Sequence, residues 1–179
     1  MKTIKYLIII ATIIANHAHA TVHTLNNNNP GPGQYLSWST VQAASNFNDT
    51  IYVSGSSISY GDITITKDNL TIIGTGHNPQ KQNPYVSRFE NIEVLTDQLT
   101  VLGLDFQNIN TPQNTNSSID IRVENCRVRR GINLFSVNLK FFDVIIKNNI
   151  ISADTLPNGS ITSLFIDNTD YPAYPVSIS

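Results

Sequence analysis

Two stretches of this chain carry the same order of apolar and polar positions. ITITKDNLTIIG runs from Ile63 to Gly74 and IEVLTDQLTVLG from Ile92 to Gly103, aligning without a gap at a shift of 29 residues. In each, an alternating apolar segment (Ile63, Ile65; Ile92, Val94) leads to a polar triplet (Lys67-Asp68-Asn69; Thr96-Asp97-Gln98). A second apolar segment (Leu70, Ile72; Leu99, Val101) then ends on glycine. Alternation with a period of two, broken by turn residues, predicts strand, turn, strand in both copies. A looser signal, apolar-x-Asn, continues at Phe106/Asn108, Val123/Asn125, Ile146/Asn148 and Ile166/Asn168, with asparagines 17, 23 and 20 residues apart. Strand-rich repeats of roughly 20 to 30 residues predict a solenoid, because one unit cannot bury its apolar face until another stacks on it. The eight apolar residues of the two copies are the expected core, with Ile63 over Ile92. The weakest register lies between Phe106 and Val123, where the step is short for a full unit.

Upstream of the repeats the pattern changes. Trp38, Val41, Ala44 and Phe47 recur at intervals of three behind candidate N-cap serines, which predicts a short amphipathic helix near Ser39 to Asn46. Residues 21–36 contain NNNNPGPG and read as a linker, with the folded domain occupying 37–179. The first twenty residues have the layout of a secretory signal peptide: Lys2 and Lys5, an apolar run from Leu7 to Ile14, and Ala18-His19-Ala20 as a small-residue cleavage site, leaving Thr21 first in the mature chain. The apolar run is shorter than the roughly twenty residues a membrane span needs. The expected location is therefore secreted or cell-surface, without a membrane span. At the other end, Tyr171-Pro172-Ala173-Tyr174-Pro175 leaves two readings open, a proline-blunted edge or continuation in a longer parent.

Two segments carry a family resemblance. STVQAASNFNDTIYV (Ser39 to Val53) is similar to the capping helix and first strand, and VNLKFFDVIIKNNIIS (Val137 to Ser152) to one coil, of the secreted right-handed parallel β-helix proteins of the pectate-lyase-like group, which are mostly bacterial. The resemblance covers roughly Leu36 to the C-terminus. It implies an all-β chain, a right-handed parallel β-helix with a short N-terminal capping helix. Of activity it says little, since that group contains lyases, hydrolases, adhesins and inert stalks.

Charge narrows the function. Without Lys2 and Lys5 the chain has nine basic and thirteen acidic residues, a net charge near −4 that gives no reason to expect nucleic acid as a partner. Six of those nine basic residues (Arg122, Arg127, Arg129, Arg130, Lys140, Lys147) fall in one segment against Glu124 and Asp143. If Ile121, Val123, Cys126 and Val128 point inward, then Arg122, Arg127, Arg129 and Lys140 make an outward patch suited to carboxylated or sulfated glycans; a solvated face answering acidic neighbours is the competing reading. The insertion GTGHNPQKQNPYVSRF (Gly74 to Phe89) offers Tyr85 as a ring on which a sugar could stack, beside His77, Lys81 and Arg88. Asp68 and Asp97 are either a stacked carboxylate pair or turn formers. Asn168-Thr169-Asp170 resembles a motif of polygalacturonase-like hydrolases, but the companion motifs are missing. Neither a catalytic set nor a metal or cofactor site is expected. The reading that follows is a non-catalytic module binding polysaccharide or cell-surface glycan; the alternative is a polysaccharide lyase or glycoside hydrolase acting on acidic glycans.

Overall fold

The computed structural model describes residues 20–76, 85–111, 119–136, 141–151, 163–168 and 176–178. They form strands β1 (Val22–Leu25), β2 (Gln34–Tyr35), β3 (Thr50–Val53), β4 (Ile63–Ile65), β5 (Leu70–Ile73), β6 (Asn91–Val94), β7 (Gln98–Leu102), β8 (Asp105–Asn110), β9 (Ile119–Glu124), β10 (Arg127–Ser136), β11 (Phe141–Lys147), β12 (Ile150–Ile151), β13 (Ser163–Asn168) and β14 (Val176–Ile178). One helix, α1 (Trp38–Ala44), is present among the described residues. The chain is β-rich, and its strand ladders are parallel.

Successive strands fall in two sheets. The larger has the order β14-β11-β9-β7-β5-β3-β1-β2, and the smaller has β12-β10-β8-β6-β4, with β13 also pairing β10. The two copies of the repeat lie side by side, in register: Ile63 pairs with Ile92, Ile65 with Val94, Leu70 with Leu99 and Ile72 with Val101. All eight are buried. Continuous rows of inward side chains result, Ile51–Ile72–Val101–Val123–Ile146 in the larger sheet and Ile63–Ile92–Ile109–Ile132 in the smaller. The alternation in the sequence thus specifies the register, since a slip of one residue would turn each row outward.

Three expectations change. The stretch 21–36, expected to be a linker, contributes two strands to the sheet: β1 pairs β3 and β2, and Leu25 is fully buried. The alternation in Thr21-Val22-His23-Thr24-Leu25 is short and its inward pair includes a histidine, so the proline-glycine tract beside it dominates the composition. The helix starts at Trp38 and ends at Ala44, burying Trp38 and Val41 while Phe47 stays exposed. Its side chains satisfy the open edge of β4: Trp38 Nε1 donates to the Thr64 carbonyl at 3.0 Å, and Gln42 Oε1 accepts the Thr66 N–H at 2.9 Å. Finally, the apolar-x-Asn series mixes two sheets. Val123 and Ile146 are partners in the larger sheet, whereas Phe106 pairs with Val128 and Ile166 with Leu134 in the smaller one. The 17-residue step joined positions that never stack.

The corners that end β7, β9 and β11 share one chemistry. Gly103, Asn125 and Asn148 all take left-handed φ values of 63°, 53° and 55°, the region that glycine and asparagine tolerate. Gly103 N donates to the Glu124 carbonyl and Asn125 N to the Lys147 carbonyl, so these corners stack. Gly74 occupies the corresponding corner beside Gly103, its N–H bonded to the Leu102 carbonyl at 2.8 Å. A Cβ there would lie 2.4 Å from the Gly103 oxygen and 2.6 Å from Leu104. Gly74→Ala is therefore expected to cost about 2–3 kcal/mol, read as a lowered urea midpoint, because the clash is with backbone that cannot step aside.

Candidate binding site

The segment that follows the insertion is fixed by alternation. Ser87 and Phe89 are fully buried. The Ser87 hydroxyl donates to the Val53 carbonyl at 2.6 Å, and Phe89 packs edge-on against Trp38 and tilted against Tyr60. Between them Arg88 points the other way, over the outer face of the smaller sheet. Its backbone bridges to Asp105, where Asp105 N donates to the Ser87 carbonyl at 3.0 Å and Phe89 N to the Asp105 carbonyl at 2.8 Å.

On the far side of Asp105 lies Arg127, its register partner in β10. The ladder between β8 and β10 then shifts between Val128 and Gly131, so that Arg129 and Arg130 stand opposite the single residue Gln107. Such a bulge re-aims side chains. It brings Arg129 back over Asp105, with Nη2 donating to Oδ2 at 2.9 Å and Nε 2.8 Å from Oδ1. The Nε contact is close but poorly aligned, and it holds Oδ1 by charge rather than by a directed hydrogen bond. Arg88 Nη2 lies 3.7 Å from Oδ2, and its buried Nε has no hydrogen-bond partner among the described residues. Asp105 is thereby covered by its own counterions: its side chain is 1% exposed, against 39% for Arg88 and 18% for Arg129.

Arg88 and Arg129 thus share one carboxylate, and Arg127 stands beside them as the register partner of Asp105. Arg127 and Arg130 are exposed, and neither has a carboxylate within ion-pair distance among the described residues. An exposed guanidinium presents a planar fork that matches carboxylate or sulfate oxygens. Tyr85, three residues before Arg88, is 44% exposed.

The predicted patch does not survive as one unit. The inward set is as expected, with Ile121, Val123, Cys126 and Val128 all buried. Arg122, however, lies on the other sheet, in an outward row with Thr50, Thr71 and Thr100, and its Nε is 2.7 Å from Glu124 Oε1. The corner at Asn125 and Cys126 separates it from Arg127. Arg129 is half-buried and tied to Asp105 rather than free in solvent. Lys140, like His77 and Lys81, lies outside the described residues, as do Thr169 and Asp170. Asp105 was not legible as a site residue: it lies 17 residues from Arg88 and 24 from Arg129, and no local spacing joins them.

The remaining candidates resolve into structural parts. Asp68 Oδ1 accepts the Asp97 N–H at 3.1 Å and the Thr96 hydroxyl, the behaviour of a turn former tied to the next strand. Burial pushes the Cys126 thiol up to about 12, against the opposing effect of backbone hydrogen bonds at Leu104, Gly103 and Glu124, so it is no nucleophile at neutral pH. Among the described residues no group of three or more His, Cys, Asp or Glu side chains is placed to hold a metal ion, and no helix is long and apolar enough to cross a membrane. Neither family models, nor curated proteins, nor solved structures give a match to this chain.

Proposed function

We propose that the chain is a secreted or cell-surface right-handed parallel β-helix, capped by α1, that binds an acidic polysaccharide through the arginine face around Asp105. The two parallel sheets, with strands dealt alternately to each from β3 to β12, and the helix side chains bonded to the free edge of β4, support the architecture. The charged start, apolar run and A-x-A site of residues 1–20 support export. The observation that carries the binding reading is the cluster itself. Asp105 is shared by Arg88 and Arg129, and Arg127 and Arg130 are exposed with no carboxylate within ion-pair distance among the described residues. Strands repeat at about 4.8 Å, so an extended polyanion can cross several of them and meet cations from each.

Binding to a polyuronate and to a sulfated glycan, followed at low salt and again with added salt, tests this. Arg127→Glu with Arg130→Glu reverses two exposed charges without touching the Arg129–Asp105 pair. The double variant is expected to keep the parent's circular dichroism and lose about tenfold or more in affinity, with the parent's affinity falling as salt screens the face. Unchanged affinity in the variant would make this a merely solvated face. Appearance of unsaturated products or new reducing ends that vanish on mutating one arginine or carboxylate would establish the lyase or hydrolase reading instead.

A further inference from the structure

We propose that the Ala20–Thr21 peptide bond is a proteolytic processing site and that the α-ammonium created at Thr21 becomes the counterion of the buried Asp49 carboxylate. The inference rests on the export reading above, but not on glycan binding.

Asp49 is fully buried at the start of β3, just after Asn48, whose left-handed φ of 68° turns the chain into the strand. Its Oδ1 accepts the Thr21 N–H at 2.6 Å, and its Oδ2 accepts the Asn46 N–H at 2.7 Å and His23 Nε2 at 2.9 Å. An ionised carboxylate only accepts, so His23 presents Nε2 as a donor. Thr21 is held from its other side too, its carbonyl accepting the Thr50 N–H at 2.9 Å. The nitrogen of residue 21 is therefore fixed on a buried carboxylate, while Ala20 and the body of Thr21 are exposed. Ala18-His19-Ala20 ends at this nitrogen.

Hydrolysis by a signal-type endopeptidase during export consumes one water. Its oxygen goes to the Ala20 carbonyl carbon, which leaves as a carboxylate with the upstream peptide, and the Thr21 nitrogen becomes an amine that takes up a proton as an ammonium. One N–H donor on Asp49 is thereby replaced by a full positive charge at the same place. Burial pushes the Asp49 carboxyl up, but the donors of Asn46, Thr21 and His23 outweigh it and hold it below its usual range, so the carboxylate is ionised. Tyr35 of β2 also faces this cluster among the described residues, its ring 5.6 Å from that of His23.

A free α-amino group titrates near 7.7–8.0. On Asp49 its folded value is raised, so the stabilisation is complete below about pH 7.7 and fades as pH rises through the folded value; each unit of elevation is about tenfold in the folding equilibrium constant. The exported protein is expected to have the mass of a chain beginning at Thr21. Urea unfolding at pH 6.5 and 9.5 should show the free-amine chain losing on the order of tenfold more in folding constant than the same chain N-acetylated, and Asp49→Asn should erase that difference. Where Asp49→Asn does not fold, the NMR titration of a ¹⁵N-labelled Thr21 amine in the parent gives the answer directly. A mature chain starting elsewhere overturns the processing site. An amine titrating at or below its free value, or identical pH dependence in the free and acetylated chains, overturns the ion pair. Neither readout involves a glycan, so a failure of the binding reading leaves both intact.

Discussion

Ile72→Asp is expected to remove much of the protein's stability at 25 °C, seen as a urea transition shifted to far lower concentration. Ile72 is fully buried in β5, between Ile51 of β3 and Val101 of β7, in a row that continues to Val123 and Ile146. Every neighbour in that row is aliphatic, and no donor of the row reaches the position. A carboxylate there would either stay charged without solvent or take up a proton and remain a buried polar group without a partner. Together with the lost packing, the cost is about 4 kcal/mol or more, against a total stability on the order of 5–15 kcal/mol for a domain. Thr71→Asp is the control. Thr71 is the next residue on the same strand but stands on the outer row with Thr50 and Thr100, and the change there is expected to stay within about 1 kcal/mol. An Ile72→Asp protein with the parent's urea midpoint would mean that the inward row is not the core.

The contrast between Ile72 and Thr71 is also the part of the fold most legible in the sequence. Two ungapped copies fix each other's register, because every inward residue of one must lie over an inward residue of the other. Legibility fell where the constraint was not a row of aliphatic residues. In β1 the inward position beside Leu25 is His23, which reads as polar until Asp49 is known to receive it. The asparagines misled for a related reason. Asn125 and Asn148 sit at left-handed corners, but Asn108 is inside β8, its amide donating to Asn91 Oδ1 at 2.8 Å. The same residue type serves a corner in one sheet and a side-chain ladder in the other, and spacing alone does not separate the two. The arginine face was half legible for the opposite reason. A charge count finds Arg127 and Arg129 together, but assigning Arg122 to another sheet needs the corner at Asn125, and pairing Arg129 with Asp105 needs the bulge that shifts the β8 and β10 ladder.

That pairing yields the second large effect. Asp105→Asn is expected to destabilise the chain by about 3 kcal/mol, measured by urea unfolding at neutral pH, because removing one partner of a buried ion pair strands the other. The group stranded is Arg129, whose side chain is only 18% exposed and whose Nη2 and Nε both address this carboxylate. Arg88 is 39% exposed and 3.7 Å away, so it can turn to water and adds little to the loss. If the cost comes from a stranded charge rather than from lost packing, removing the charge as well should restore stability. Asp105→Asn with Arg129→Met is therefore expected to recover most of the deficit, and the cycle should give a coupling of about 2 kcal/mol or more between the two sites. The same pair bears on binding. Asp105→Asn removes the carboxylate that holds Arg129 and leaves Arg127 and Arg130 in place, so under conditions where the variant is folded its affinity for an acidic glycan should rise rather than fall. Weaker binding in a folded Asp105→Asn protein would mean that Asp105 orients the arginines that touch the ligand, and additive single-mutant costs would mean that Arg129 and Asp105 do not stabilise the fold as a pair.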